Sequence, residues 1–524
     1  MTATETNEIT PQPAPDPRRW LVLAVMSLGT LIVFLDLTVV NTALPAISVD
    51  LGATTSDLQW VVDSYVLALA GLLILAGSIG DRYGRRRWMS IGLITFMAGS
   101  IIGALSGSIS MLIVGRAVQG LGAAFVLPAT LSIVTSVFPR EERNKAIAVW
   151  TAVGGVGIGF GPAIGGYLVD RYDWAAAFWI HVPIILIALI GQSVVTESRD
   201  SRVTGLDVPG AITATLGISA LVFGVIQGTE SGWTSPLILL SFAASAVMLA
   251  AFIAIELNTT DPMLPLHFFA NRDFTGSVLI IGLMFFAGPA TFFFLTQFFQ
   301  IVQGRDPFEA GLLILPNAGA IIIASAIAPK LARQIGLRST VVVSVSIMAL
   351  GMLAFAQVDA GWSALTEILI ISLFGFGFGL GMPALTDSIM ASVPVEDAGV
   401  GSAVNDVSRE LGSALGVAVL GTFINSIYRS NVDERLTGQV PDDTVELARE
   451  GIGVVAAESP NLPTEVAQTT FAGAGQAFVD AMNSGFLLSA GVMGVAIVVA
   501  ATLLPRTARV SQVEREIEET VLVA

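Results

Sequence analysis

Long apolar runs alternate with short polar stretches along almost the whole chain. Fourteen runs can be drawn, at approximately 20–44, 59–79, 88–107, 111–138, 146–169, 175–195, 207–228, 236–256, 274–300, 309–329, 339–356, 363–388, 399–427 and 480–504. A helix crossing roughly 30 Å of hydrocarbon needs about 20 mostly apolar residues. The pattern therefore predicts an all-α integral membrane protein with fourteen transmembrane helices. Composition agrees: 54% of the 524 residues are hydrophobic and 13% are charged, where a soluble domain carries about 25% charged residues.

Charge then sets the orientation. Of the 25 Lys and Arg residues, 18 fall on the side of the N-terminus, 5 fall on the opposite side, and Arg116 and Arg409 lie within spans. Basic loops stay on the cytoplasmic side, so a multi-pass protein of the cell membrane with both termini cytoplasmic is expected. Arg18-Arg19 precedes an apolar run too long for a signal peptide, which reads as an uncleaved first helix. Within the cytoplasmic tail 1–19, the polar, Pro-rich residues 1–17 are expected to be disordered, and the acidic tail 506–524 is expected to be a frayed helix. The net charge of −16 leaves no basic stripe for nucleic acid once the loops are assigned. The chain has no cysteine, which excludes disulfides, thiol catalysis and Cys-ligated metal.

The runs group into an N-terminal six-helix bundle (20–200), an extra helix pair (201–262) and a C-terminal six-helix bundle (263–505). A faint repeat supports two halves. Gly77-Ser-Ile-Gly-Asp81-Arg82-Tyr-Gly84-Arg85-Arg86 follows span 2, and Ala328-Pro-Lys330-Leu-Ala-Arg333-Gln-Ile-Gly336-Leu-Arg338 follows span 10. Both are basic, with a glycine before the next helix. Repeated halves with a site between them are a transporter plan. The acidic segment 428–479 is expected as a solvated loop on the outside, in which stretches such as Val445 to Val455 can form short amphipathic helices, with a lid or cation-attracting vestibule as the alternative.

Four motifs carry a family resemblance. Gly77-x3-Asp81-Arg82-x-Gly84-Arg85-Arg86 resembles the signature loop of the major facilitator superfamily. Leu112-x2-Gly115-Arg116-x2-Gln119-Gly120-x-Gly122 resembles the helix-4 motif of its proton-coupled members. Gly155-x5-Gly161-Pro162-x2-Gly165-Gly166 resembles the antiporter motif of its exporters. Leu35-Asp36-x-Thr38-Val39-Val40-Asn41-x-Ala43-Leu44-Pro45 resembles the helix-1 motif of the fourteen-helix drug:proton antiporter branch. The resemblance implies the major facilitator fold, two six-helix bundles plus two extra helices. It also implies export of lipophilic, often cationic compounds (quaternary ammonium, dyes, antiseptics) in exchange for protons. Gly77, Asp81, Arg82, Gly84, Arg85 and Arg86 would then gate the cytoplasmic face, with Asp81 also near enough to the start of span 3 to favour its dipole.

The residues themselves point to the exchange chemistry. Ionisable side chains inside a membrane are costly, and they mark interior or water-filled paths. Asp36 lies about 16 residues into span 1, or roughly 24 Å from the cytoplasm. Arg116 enters span 4 from outside and lies about 5 residues in, or roughly 7 Å. An Asp36–Arg116 contact is thus allowed in depth, and Asp63 lies at similar depth. Burial favours the protonated acid, while a nearby cation favours the ionised form. Asp36 is the expected proton carrier, Arg116 its modulator, and Asp63 a second carrier or substrate contact. Span 13 holds Asn405, Asp406, Arg409 and Glu410. Asp406 and Arg409, three apart, can pair on one helix face. The resemblance implies a coupling or substrate-binding role for Glu410, and Asp406 joins it as a proton-coupling candidate. Asn41, Gln119, Phe286 and Phe293 complete the substrate-binding set, phenyl faces being able to hold cations. The exchange scheme requires that Asp36 and Glu410 neither face the acyl chains nor be sealed from every route to water. Span 10, Ala310 to Ala328, has no carboxylate, which favours monovalent or neutral cargo.

Histidine, the usual titrating group near neutrality, occurs twice. His267 falls in a loop, and His181, near the outer end of span 6, is expected to pack or cap locally. Gly155, Gly161, Pro162, Gly165 and Gly166 lack the strand and the Lys-Ser/Thr of a phosphate loop. They read instead as small-residue contacts between helices, with bending at Pro162. No cofactor and no metal are expected. The expected partners are protons, small lipophilic or cationic substrates and membrane lipids, in a monomer. A narrow-specificity metabolite or antibiotic exporter on the same scaffold is the alternative. A membrane enzyme would need a nucleophile–base or metal constellation that the spans do not supply.

Overall fold

The computed structural model describes residues 17–53, 55–199, 207–259, 262–359, 361–394 and 397–505. The expectations for residues 1–16, for the tail 506–524 and for most of the linker after span 6 fall outside the described residues. The helices are α1 (Arg19–Leu51), α2 (Thr55–Tyr83), α3 (Arg85–Ala104), α4 (Ile109–Val137), α5 (Arg140–Arg171), α6 (Ala176–Trp179), α7 (His181–Gly191), α8 (Val208–Ser231), α9 (Pro236–Asn258), α10 (Arg272–Gln297), α11 (Pro307–Phe355), α12 (Ala364–Ala391), α13 (Ala398–Leu436), α14 (Asp442–Glu450), α15 (Ile452–Glu458) and α16 (Thr464–Leu503).

Among the described residues, 13 helical stretches are apolar and long enough to cross a membrane. One of them, Glu309–Phe355, is 47 residues long, or roughly 70 Å at 1.5 Å per residue, more than twice a bilayer core. It breaks at Gly336, whose φ of 84° and ψ of 160° are not helical. The two segments either side are separate crossings, and fourteen result. The matching turn in the first half is Gly84, at φ 113°, between α2 and α3. These are positions where a side chain is strained and glycine is not.

Helices α1–α7 form one bundle and α10–α13 with α16 the other. They meet along two seams, α2 with α13 and α5 with α11. The pair α8–α9 packs on itself, and α8 leans on both α2 and α13. Trp233, just past α8, donates to Thr422 Oγ1 of α13 at 3.2 Å.

Glycines make the seams close. A first side-chain carbon at Gly77 would come 2.5 Å from the Gly399 carbonyl oxygen, so α2 lies directly on α13. Gly155 and Gly159 of α5 face Ile321 and Ala318 of α11, at 2.9 and 2.5 Å by the same measure. Gly157, Gly161 and Gly165 turn to α1 of their own bundle, and Gly166 faces open space. The motif therefore serves two contacts, one between bundles and one within. Around Pro162, α5 runs unbroken from Arg140 to Arg171.

In the segment 428–479 the short helices expected around Val445 to Val455 form, but packed into a small folded unit rather than standing in a solvated loop. Helix α13 continues to Leu436 and α16 begins at Thr464, so two long helices project beyond the bilayer. Between them α14 and α15 fold back, burying Val432, Leu436, Val445, Ala448, Ile452 and Val455. Tyr428 donates to the Ala448 carbonyl at 2.9 Å. Arg435 pairs with Asp480 at 2.5 Å, and Arg449 with Asp433 at 2.6 Å. The apolar positions hidden among the acidic ones supply a small core.

Candidate functional site

Asp36 is fully buried. Its Oδ2 accepts from Arg116 Nη1 at 2.7 Å and its Oδ1 from Gln119 Nε2 at 3.2 Å. Arg116 also donates to the Val61 carbonyl at 3.0 Å and to Gln119 Oε1 at 3.0 Å. Its guanidinium lies over the Tyr65 ring, 4.4 Å from the centroid. Gln119 Nε2 donates in turn to Ser100 Oγ at 2.8 Å. Helices α1, α2, α3 and α4 each contribute. Gly99, Gly115 and Gly122 let α3 and α4 approach until backbone meets backbone, which brings Ser100 and Gln119 together.

Two expectations need correction here. Gln119 was expected to contact substrate, yet it is enclosed and all its bonds hold Asp36, Arg116 and Ser100. His181 was expected to pack or cap locally. Instead its Nε2 lies 3.7 Å from Asp36 Oδ1, its Nδ1 lies 3.5 Å from Ser100 Oγ, and the ring is fully buried. Depth in the membrane was readable from counting; the rotation of α7 toward α1 and α3 was not. Asp63 is half-buried on α2, two residues past Val61. Asn41 is exposed.

The second cluster belongs to α13. Asp406 Oδ1 accepts from Arg409 Nη1 at 3.1 Å and from Asn405 Nδ2 at 3.1 Å. Asp406 Oδ2 has no partner. Arg409 is 7% exposed and touches three aromatic faces: Phe34 of α1 at 4.6 Å, Phe285 of α10 at 5.0 Å and Trp150 of α5 at 5.9 Å. Two of these rings come from the first bundle and one from the second. Trp150 is fixed by donating to Thr130 Oγ1 at 3.1 Å. Glu410 is half-buried, with no ion pair among the described residues. Phe285, absent from the sequence-based candidates, is the span-9 ring that reaches the cation. Phe286 presses its backbone on Gly416, and Phe293 is 54% exposed.

The buried Tyr65 hydroxyl, on the ring beneath Arg116, has no hydrogen-bond partner among the described residues. Together the clusters hold three carboxylates and two guanidiniums. One negative charge is left over in a low-dielectric interior, where an uncompensated charge is strongly disfavoured.

The turn after α2 carries the third set. Asp81 bonds Arg85 at 2.6 Å and accepts from the backbone N–H of Gly399 at 2.9 Å and Val400 at 3.0 Å. It therefore caps the first turn of α13 in the other bundle. The expected partner was the start of span 3. That end is capped instead by Glu197, which accepts from the N–H of Arg86 at 3.0 Å and Arg87 at 3.1 Å. The close approach at Gly77 is what brings α13 within reach of Asp81. Arg82 donates to the Pro262 carbonyl at 3.3 Å, tying the turn to the segment after α9.

Two bundles of helices with charged clusters at their junction and close seams between them define a multi-pass membrane transporter. The family model described as Major Facilitator Superfamily matches residues 26–417, and the chain belongs to that family. It is 35% identical over 424 residues to the multidrug resistance protein Stp of Mycobacterium tuberculosis, covering 80% of this chain and 79% of the relative. It is 33% identical over 505 residues to the multidrug efflux pump LfrA of Mycolicibacterium smegmatis, covering 95% and 98%. Among solved structures, the proton:xylose symporter XylE shares the fold with a TM-score of 0.63 at 13% identity, over 94% of this chain and 96% of that one.

Proposed function

We propose that the protein exports lipophilic cations across the cell membrane in exchange for protons, by alternating access, as a monomer with both termini in the cytoplasm. The observation that carries this reading is the surplus acid at the junction of the bundles. Two buried carboxylates and the half-buried Glu410 face two arginines, so the two clusters together are neutral only with one added proton or one added monovalent cation. The two then compete for one place, which is the condition for exchange. Arg409 indicates how the cargo is held: a cation already rests there on aromatic faces, beside a carboxylate. A lipophilic cation held by the same faces and by Glu410 uses the same chemistry.

One proton for one monovalent cation moves no net charge, so the pH gradient alone drives it; a second proton would add about 2.3 kcal/mol per 100 mV. Asp36 has no exposed surface. It must exchange its proton in another conformation, reached when Asp81 releases the start of α13 and the α2–α13 seam opens at the cytoplasmic face. The relatives named as multidrug pumps support this reading. The test is dye efflux from everted vesicles with an imposed pH gradient, comparing the wild type with Asp36→Asn and Glu410→Gln at equal membrane abundance. Gradient-driven efflux by Asp36→Asn at the wild-type rate sinks the proposal.

A further inference from the structure

We propose that His181 is a second proton acceptor of the Asp36 cluster, so that the proton exchanged for cargo rests between Asp36 Oδ1 and His181 Nε2. The inference rests on the proton-coupled reading above and adds the place where the proton is kept.

Two acceptor atoms face each other across 3.7 Å, beyond hydrogen-bond length. His181 Nε2 is buried and bonded to nothing. The other side of the ring is occupied. Ser100 Oγ meets Nδ1 at 3.5 Å, and the Phe178 carbonyl is offered to the ring as a hydrogen-bond acceptor. A carbonyl can only accept, so this surrounding favours a proton on Nδ1 and leaves Nε2 as a lone pair aimed at Asp36. Phe96 stacks edge-on against the ring at 5.4 Å and fixes its plane. Gln119 bridges Asp36 Oδ1 and Ser100 Oγ, so both sides of the gap are positioned by one side chain.

The charges facing this gap are Asp36 on α1 and Arg116 on α4, with the neutral Tyr65 of α2 beneath the guanidinium. A proton entering from water forms either an O–H on Asp36 or an N–H on Nε2, and the other atom accepts it. It brings the surplus charge of the two clusters to zero. When a cationic cargo arrives beside Glu410, the proton is returned to water and Nδ1 keeps its own. No comparable acceptor faces Glu410, which has no hydrogen bond among the described residues.

The chain has only two histidines, and His267 is exposed on the turn Leu266–Ala270. In a His267→Gln background, labelled histidine therefore reports His181 alone. The full-length protein in lipid nanodiscs is titrated between about pH 5 and 8, with and without tetraphenylphosphonium as the probe cation. The ring nitrogen resonances should titrate, move when the probe binds, and change in Asp36→Asn. In parallel, proton release on adding the probe is followed with a pH indicator. His181→Gln, which keeps a polar side chain but cannot titrate, should lower the midpoint of release by about one pH unit, a tenfold loss of proton affinity. A ring that keeps one neutral tautomer throughout and ignores both the probe and Asp36→Asn overturns the assignment. So does a His181→Gln midpoint equal to wild type while wild type releases protons. A wild type that binds the probe without releasing any proton removes proton coupling itself, and the His181 assignment with it. Should His181→Gln fail to fold, the resonances decide alone.

Discussion

The two bundles solve the same problem, a buried arginine, in opposite ways. In the first, Arg116 meets one carboxylate and a set of neutral acceptors, and its hydrogen bonds end on groups that α1, α2 and α4 hold in place. In the second, Arg409 meets one carboxylate and three rings, with a further acid next to it in sequence and half-exposed. The first cluster is charge-balanced and buried; the second has one acid more than its arginine, and that acid, Glu410, is half-buried. On the proposed reading, the balanced site stores the proton and the unbalanced one receives cargo.

The largest effect is expected at the balanced pair. Arg116→Leu leaves Asp36 buried without its countercharge and should lower stability by roughly 3–5 kcal/mol, seen as a loss of folded protein in detergent on heating. Adding Asp36→Asn to it should recover much of that loss. Arg409→Leu should cost less, because Asp406 keeps its bond from Asn405 and the neighbouring acid, Glu410, is half-buried. Equal losses at the two arginines would break the comparison.

Glu410→Gln should weaken export of monovalent lipophilic cations about tenfold, or roughly 1.4 kcal/mol, and leave neutral compounds unchanged. Competition uptake assays on everted vesicles check this. A parallel loss for both kinds of cargo would move cation recognition away from the second bundle.

Asp81→Asn should weaken the cap on α13 by about 1 kcal/mol and open the α2–α13 seam more often. Because the chain has no native cysteine, a single cysteine placed at Ala403 reports that seam by its rate of alkylation. An unchanged rate would show that Asp81 does not hold the bundles together.

The most local effects, confined to single turns, concern the two turn glycines. Gly336→Ala should cost about 1–2 kcal/mol for its backbone conformation alone. Gly84→Ala should cost more, since its added carbon would also lie 2.9 Å from the Glu197 carboxylate. Thermal unfolding of the two variants side by side measures the contrast, and reversed order would deny Glu197 its capping role.

Much of this was legible in the chain because it is local. A crossing is set by about 20 successive apolar residues, and charge asymmetry between alternate loops needs no folding to be counted. The motifs placed Asp36, Arg116 and Asp81 on the right helices, and depth arithmetic allowed Asp36 to meet Arg116. The pairing of Asp406 with Arg409 followed from spacing on one helix. In segment 428–479 the short helices around Val445 to Val455 were legible from their spacing, while their burial against the ends of α13 and α16 was not, because charge dominated the reading. Gln119 and His181 were misplaced because a fully enclosed polar residue and a lining one look alike in sequence.

What the sequence by itself determined is the number of crossings, their order, the basic loops and the list of costly interior side chains. Hydrophobic length and helical spacing fix these within one segment. Only the tertiary structure decided which neighbours those side chains have. Helix rotation and crossing are set by contacts between distant segments, where glycines admit backbone to backbone. That is why Asp81 caps a helix 318 residues away, why an aromatic cage from three helices surrounds Arg409, and why a histidine read as local packing stands beside Asp36.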